Sequence, residues 1–182
     1  MKKTTKKVIS IMLIVILLLS LSSCDMIITI KKFYFKNIKD HLDEDYFTSE
    51  NFDCARVDSV VIVPHVFEIY WGVFCLRISA YSKTGEESVI IKNAVIKEND
   101  NVLLTYELNK EINFEQTDDL LFMGMVHGKY DNMTFTEEQV EVVKGKEYDF
   151  VVEVEVTANG KTLQKSITFV LAPITYITLN MP

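Results

Sequence analysis

The sequence predicts an all-β fold, a two-sheet antiparallel sandwich of seven or eight strands that follows a cleaved N-terminal signal helix. Apolar and polar residues alternate with a period of two, and turn residues interrupt the runs roughly every eight to twelve residues. Composition agrees, because β-branched and aromatic residues are plentiful while only 6 glycines and 3 prolines occur in 182 residues. Such a composition is typical of a packed β domain and not of a disordered chain.

The chain begins with a basic segment that an apolar segment follows. Four lysines fall within residues 1–7, and residues 8–21 are apolar except for two serines. As a helix, residues 8–21 would span roughly 21 Å, whereas the hydrocarbon core of a bilayer measures about 30 Å. This layout favours a secretory signal over a permanent transmembrane helix.

The end of the signal carries a more specific motif. Leu21-Ser22-Ser23-Cys24 resembles the lipobox of bacterial lipoproteins, and the resemblance covers only the signal and its cleavage site. It implies cleavage between Ser23 and Cys24 and attachment of diacylglycerol, with fatty acids such as palmitate, to the Cys24 thiol. We therefore expect a lipid-anchored protein on the exported side of the cell membrane or outer membrane. The alternative is an ordinary signal peptide in which Cys24 is incidental.

The mature chain is acidic. All 26 acidic residues but only 15 of the 19 basic ones follow residue 23, so the mature net charge is −11. This balance argues against binding to nucleic acid and against broad electrostatic adhesion to anionic lipid. We divide the mature chain into a membrane-proximal linker, residues 24–54, and a sandwich domain, residues 55–182. In residues 25–54 the apolar spacing fits either a short helix along the headgroups or an edge strand with a linker, and we favour the second.

From residue 55 onward the pattern is that of strands. The predicted strands cover residues 59–63, which Pro64 ends, 66–81, 88–97, 101–108, 120–126, 150–157 and 162–171, which Pro173 ends. Residues 82–85 and 98–101 form turns, and Asn159-Gly160 predicts a tight hairpin. In the second strand Phe74, Leu76 and Ile78 are expected to face the core.

One local motif indicates a particular kind of sandwich. Val142, Gly145 and Tyr148, followed by the alternating strand, resemble the tyrosine corner of immunoglobulin-like and fibronectin type III domains. Lys144 stands where those families usually have proline. The resemblance implies that the Tyr148 hydroxyl bonds to backbone a few residues upstream, and it implies fold rather than function. Trp71 is a candidate for the core tryptophan of such a sandwich.

Two cysteines remain in the mature chain besides Cys24. Cys54 and Cys75 would close a loop of about twenty residues if they formed a disulfide, which exported proteins often contain. The alternative is a pair of free thiols. Their spacing is not that of a metal site.

The sequence contains no recognisable catalytic or cofactor motif. His41, His65 and His127 lack metal-ligand spacing, so we expect no metal and no cofactor. A nucleophile pair of His65 with Cys54 or Cys75 would require proximity in space. We therefore expect a protein that is not an enzyme.

Large aromatic side chains indicate a binding function more clearly than any other feature of the mature sequence indicates a catalytic one. Phe67, Tyr70 and Trp71 lie close together in the sequence, and such residues are usually core in a sandwich. If they face outward they form a binding patch. The first hypothesis is a lipoprotein whose sandwich binds another envelope protein or serves as a structural module. The second is a module that binds a ligand or glycan, for which a solvent-facing cluster near Trp71 is the distinguishing feature. The third is a hydrolase of unfamiliar type.

Overall fold

A computed structural model describes residues 27–38, 44–117, 121–128 and 130–179 of the chain. The signal peptide with Ser23, the predicted lipidation residue Cys24 and His41 lie outside the described residues. Within the described part, the fold is all-β and consists of two antiparallel sheets, which confirms the predicted two-sheet class.

The described residues form eleven strands. Eight are long: β1 (Ile27–Phe35), β3 (Val60–Tyr70), β4 (Val73–Ser82), β5 (Ser88–Glu98), β6 (Asn101–Ile112), β8 (Phe122–His127), β10 (Tyr148–Ala158) and β11 (Lys161–Leu179). Three have only two or three residues: β2 (Arg56–Val57), β7 (Glu115–Gln116) and β9 (Thr134–Thr136). The eight long strands agree with the predicted number, and the short ones lack the length to show a period of two.

The strands are ordered β1-β11-β10-β5-β6 in the first sheet and β2-β3-β4-β8-β7 in the second, where β9 pairs with part of β4. A 3₁₀ helix, Glu50–Ala55, precedes β2. Residues 31–175 form one compact unit, and the remainder forms another, of which the structure describes residues 27–30 and 176–179 as strand.

The core is built by alternation along the strands. In β10 the residues Tyr148, Phe150, Val152, Val154 and Val156 are buried while those between them are more exposed. β11 supplies the opposite positions of the same face, with Phe150 paired to Phe169. The predicted inward residues of β4 (Phe74, Leu76 and Ile78) also belong to this core. Burial of such side chains stabilises the fold by about 1.5–3 kcal/mol each.

The compact unit has two distinct ends. β4 runs away from the hairpin turn at residues 71–72, and β5, a strand of the first sheet, runs back to the turn at residues 99–100. The opposite end carries the loop 83–87 and the hairpin 159–160, because Thr157 pairs with Ser88. We call these the Trp71 end and the Glu87 end.

The predicted Asn-Gly hairpin is confirmed. Ala158 pairs with Lys161, and Asn159 and Gly160 have φ values of +52° and +72°. Two-residue turns with both central residues in this region match the twist of the flanking strands, and asparagine and glycine tolerate it best.

The predicted strand ends at Pro64 and Pro173 are wrong. β3 continues through Pro64 to Tyr70, and β11 continues through Pro173 to Leu179. β2 pairs only with the first two residues of β3, so Pro64 lies on an open edge where its missing N–H breaks no ladder. β10 begins opposite Leu171, so at Pro173 no β10 partner requires an N–H.

The hydrophobic core includes residues of the segment 24–54, which the sequence predicts to be a membrane-proximal linker. Phe33 and Phe35 of β1, together with Ile38 and Phe52, belong to the hydrophobic core. Phe33 contacts Phe74 with ring centroids 4.8 Å apart. The helical alternative for this segment does not occur in residues 27–35, which form an edge strand of the first sheet.

Candidate interaction surface

The hairpin between β3 and β4 carries the predicted aromatic patch. Trp71 is 87% exposed and Tyr70 63% exposed, so Trp71 is not a core tryptophan. A register shift between Glu68 and Tyr70 breaks the period of two just before the turn, which leaves the two aromatic residues at the tip.

This hairpin tip is well anchored to the protein. The backbone N–H of Gly72 donates to the Glu68 carboxylate at 3.0 Å, and the N–H of Glu137 donates to the Gly72 carbonyl at 3.1 Å. Gly72 has a φ of +71°, a conformation that glycine adopts without steric cost. The exposure of Trp71 therefore does not result from a loose turn.

Phe67, the third residue of the predicted patch, belongs to a second group on the outer face of the second sheet. Its ring lies 5.7 Å from that of His127, which in turn lies 5.3 Å from that of Tyr130. The Arg77 guanidinium lies 5.9 Å from the Phe67 centroid, a cation–π arrangement. We call Phe67, Arg77, His127 and Tyr130 the aromatic face.

The aromatic face is partly accessible to solvent. Tyr130 is 79% exposed and Phe67 36% exposed. His65 pairs with Arg77 across β3 and β4. Burial, and secondarily the positive charge of Arg77, lowers the pKa of His65 to about 4, so this imidazole is neutral at pH 7. Arg77 therefore carries the fixed positive charge of this part of the sheet.

Cys54 and Cys75 are free thiols in the structure, which therefore does not contain the disulfide. Cys54 is exposed in the 3₁₀ helix, whereas Cys75 is buried in β4. Arg56 pairs with Val61 but Cys75 pairs with Phe67, six residues further along β3. Six strand residues span about 20 Å, and a disulfide requires Cα atoms within about 7 Å.

Tyr148 is buried at the start of β10. Its hydroxyl donates a hydrogen bond of 2.9 Å to the carbonyl of Glu141, seven residues upstream. Gly145 has a φ of +84°, and Val142 packs against the core. This bond is of the kind that a tyrosine corner implies, and it supports that interpretation, which stays a prediction.

The Glu87 end contains a buried carboxylate. Glu87 is 9% exposed and accepts hydrogen bonds from Ser59 at 2.5 Å, from Thr84 at 3.0 Å and from Ser82. Burial raises the pKa of Glu87, but these hydrogen bonds lower it by more, so its pKa lies below the ordinary value. The carboxylate ties the start of β3 to the loop after β4, which is a structural role.

Among the described residues, no three His, Cys, Asp or Glu side chains come together as a metal site. No helix in the same residues is long and apolar enough to cross a membrane.

Sequence reasoning found the hairpin aromatics but missed the aromatic face. The sequence predicts no surface role for Arg77 or Tyr130, and it offers His127 only as a residue that lacks metal-ligand spacing. The available signal was Tyr130, a lone large aromatic within the polar residues 127–134. Its proximity to Phe67 depends on the pairing of β4 with β8, which local sequence does not encode.

No model of a known protein family matches the chain, and no curated protein matches it significantly.

Proposed function

We propose that this protein is an exported bacterial lipoprotein, anchored through Cys24, whose sandwich binds another protein of the cell envelope. The anchor rests on the lipobox resemblance of residues 21–24. The protein-binding role rests on one observation, the contiguous aromatic face. The immunoglobulin-like character of the sandwich belongs to the same proposal and is supported by the Tyr148–Glu141 hydrogen bond.

The composition of the aromatic face favours a protein partner. Tyrosine, tryptophan and arginine are the residues that most often dominate binding energy at protein interfaces. Here Tyr130 and Phe67 supply exposed rings, and Arg77 supplies a charge that is already partly desolvated beside Phe67. Phe67, Arg77 and His127 lie in the paired strands β3, β4 and β8, so their backbone loses little conformational freedom on binding. The Tyr130 N–H donates to the His127 carbonyl at 2.9 Å, which ties the following turn to β8.

A glycan-binding role is the second candidate, and the exposure of Trp71 and Tyr70 favours it. Small-ligand sites are concave and cover most of the ligand surface. A tryptophan that is 87% exposed at a hairpin tip has little protein around it to form such walls. The geometry therefore supports the protein-binding role better, and we propose no catalytic activity.

Site-specific photocrosslinking in the producing cells tests this function. A photoreactive phenylalanine analogue would replace Tyr130 in the tagged full-length chain, with Leu163, a half-exposed residue near the Glu87 end, as the matched control position. We expect an adduct of discrete mass from position 130 that is absent from position 163. The adduct should disappear when Phe67→Ser and Arg77→Ser are added.

Equal labelling at both positions, or no protein adduct at position 130, would contradict the protein-binding role. If no protein adduct forms and the domain is retained on immobilised envelope polysaccharide in a manner that Trp71→Ala abolishes, the glycan-binding candidate replaces it.

A further inference from the structure

The first residues of the compact unit, which include Phe33 of β1, lie at the Trp71 end. Tyr148, the first residue of β10, pairs with Leu171, so the part of β11 beyond Leu171 extends past β10 at this end. β1 lies beside β11 at the edge of the first sheet. Its Phe33 ring contacts Phe74 at 4.8 Å and Phe135 at 5.1 Å, and Phe74 lies two residues from the hairpin turn.

Chain length limits how far this end can be from the lipid anchor. The compact unit begins at Lys31, seven residues after Cys24. An extended chain covers at most about 3.6 Å per residue, which gives a limit of about 25 Å. This step rests on the proposed lipid anchor, because only an acylated Cys24 would fix that limit relative to a membrane.

The residues at the tip are those that favour a membrane–water interface. Tryptophan and tyrosine combine an apolar ring with a polar atom, and they are enriched where one side of the ring meets lipid and the other meets water. Trp71 and Tyr70 project from an ordered turn, in which the Gly72 N–H donates to the Glu68 carboxylate and the Gly72 carbonyl accepts from the Glu137 N–H. The tip is thus a fixed projection and not a flexible loop.

We propose that the hairpin of Tyr70 and Trp71 contacts the lipid surface to which Cys24 is anchored, and so holds the Trp71 end of the sandwich toward the bilayer. The contact is aromatic rather than electrostatic. The mature chain carries a net charge of −11, which repels an anionic surface. Zwitterionic headgroups are therefore the favoured partner.

Trp71 is the only tryptophan among the 182 residues, so the tryptophan emission of the full chain reports on this hairpin alone. The acylated protein would be reconstituted into phosphatidylcholine vesicles with or without brominated acyl chains, which quench tryptophan on contact. We expect the emission of Trp71 to shift to shorter wavelength and to lose intensity in the brominated vesicles.

The matched control moves the reporter to the other end of the sandwich. The double variant Trp71→Phe, Leu163→Trp keeps a single tryptophan at a half-exposed position near the 159–160 hairpin. Its emission should remain that of a solvent-exposed tryptophan and should not be quenched by the brominated lipid.

Flotation of the same vesicles separates failure of this inference from failure of the anchor. If the protein floats with the vesicles but Trp71 is not quenched, or both reporters are quenched equally, the hairpin contact is overturned while the anchor stands. If mass spectrometry finds no acyl group and the protein does not float, the proposed anchor is wrong and the hairpin contact falls with it.

Discussion

The two ends of the sandwich use their side chains in opposite ways. At the Glu87 end a carboxylate is turned inward, where hydroxyl groups of Ser59, Ser82 and Thr84 satisfy it. At the Trp71 end two large aromatic residues are turned outward into solvent. Buried polar groups with partners fix the conformation of the chain, whereas exposed apolar area adds nothing to folding stability. The difference separates residues that serve the fold from residues that are available for binding.

The largest effect is expected from the Glu87 end. Glu87→Ala removes the acceptor of three side-chain hydrogen bonds and leaves buried Ser82 without its carboxylate. We expect the free energy of unfolding to fall by about 2–3 kcal/mol, measured by urea denaturation. The exposed neighbour Glu86 supplies the control. Glu86→Ala should change the free energy of unfolding by less than about 0.5 kcal/mol. Similar losses in both variants would show that the stabilisation does not come from the buried carboxylate and its hydrogen bonds.

A smaller effect is expected from Tyr148, a buried residue toward the Trp71 end. Tyr148→Phe deletes only the hydroxyl that donates to the Glu141 carbonyl. We expect a loss of about 1 kcal/mol in the free energy of unfolding, with a lower Tm in calorimetry. Tyr130→Phe, which alters an exposed tyrosine, should leave Tm unchanged. An unchanged Tm for Tyr148→Phe would argue against the tyrosine corner.

The pH dependence of stability that His65 causes measures how strongly the outer face of the second sheet is desolvated. The pKa of His65 is about 4 in the folded state and about 6.5 when unfolded, so acidification protonates the unfolded chain first. The free energy of unfolding should therefore be highest above pH 6.5, should fall as the pH drops toward 4, and should lose up to about 1 kcal/mol between pH 7 and 5.5. His65→Gln, compared over the same range, should lose less. An equal loss in the variant would place the pH dependence elsewhere.

The smallest effect on stability is expected at the hairpin tip. Trp71→Ala removes a large side chain that is 87% exposed, so the free energy of unfolding should change by less than about 0.5 kcal/mol. Urea denaturation, followed by circular dichroism because the variant lacks tryptophan, measures it. A loss above about 1 kcal/mol would mean that Trp71 packs against the fold and would remove the contrast between the two ends.

Local signals predicted much of the fold, but the wider surroundings of each strand decided the rest. The alternation of β10 and the Asn159-Gly160 turn depend on neighbours in sequence, and both are confirmed. The effect of Pro64 and Pro173 depends on whether another strand lies beside them, which the sequence does not show. The alternation in β4 predicted that Phe74 faces the core. It did not predict that residues on the opposite face of the strand, such as Cys75, are also buried.

That opposite face of β4 is covered by distant parts of the chain. Tyr46, outside the predicted sandwich, contacts Tyr81 with ring centroids 4.4 Å apart. A Cβ on Gly128 would approach the Cys75 sulfur to 2.7 Å, so the loop after β8 lies directly over this thiol. The candidate site was predictable only in part for the same reason. Trp71 and Tyr70 are adjacent in sequence, whereas strand pairing is needed to bring Phe67 to the His127 ring, which Tyr130 also contacts.

The N-terminal peptide of the protein isolated from its native envelope is the most direct measurement of the lipid-anchored function, because both proposed surfaces act only on the exported side. Mass spectrometry should find a chain that begins at Cys24 and carries diacylglycerol on its thiol, with no peptide from residues 1–23. Cys24→Ala should abolish the modification and release the protein from the membrane fraction. A membrane-retained chain with an unmodified Cys24, or with residues 1–23 still attached, would contradict the proposed anchor.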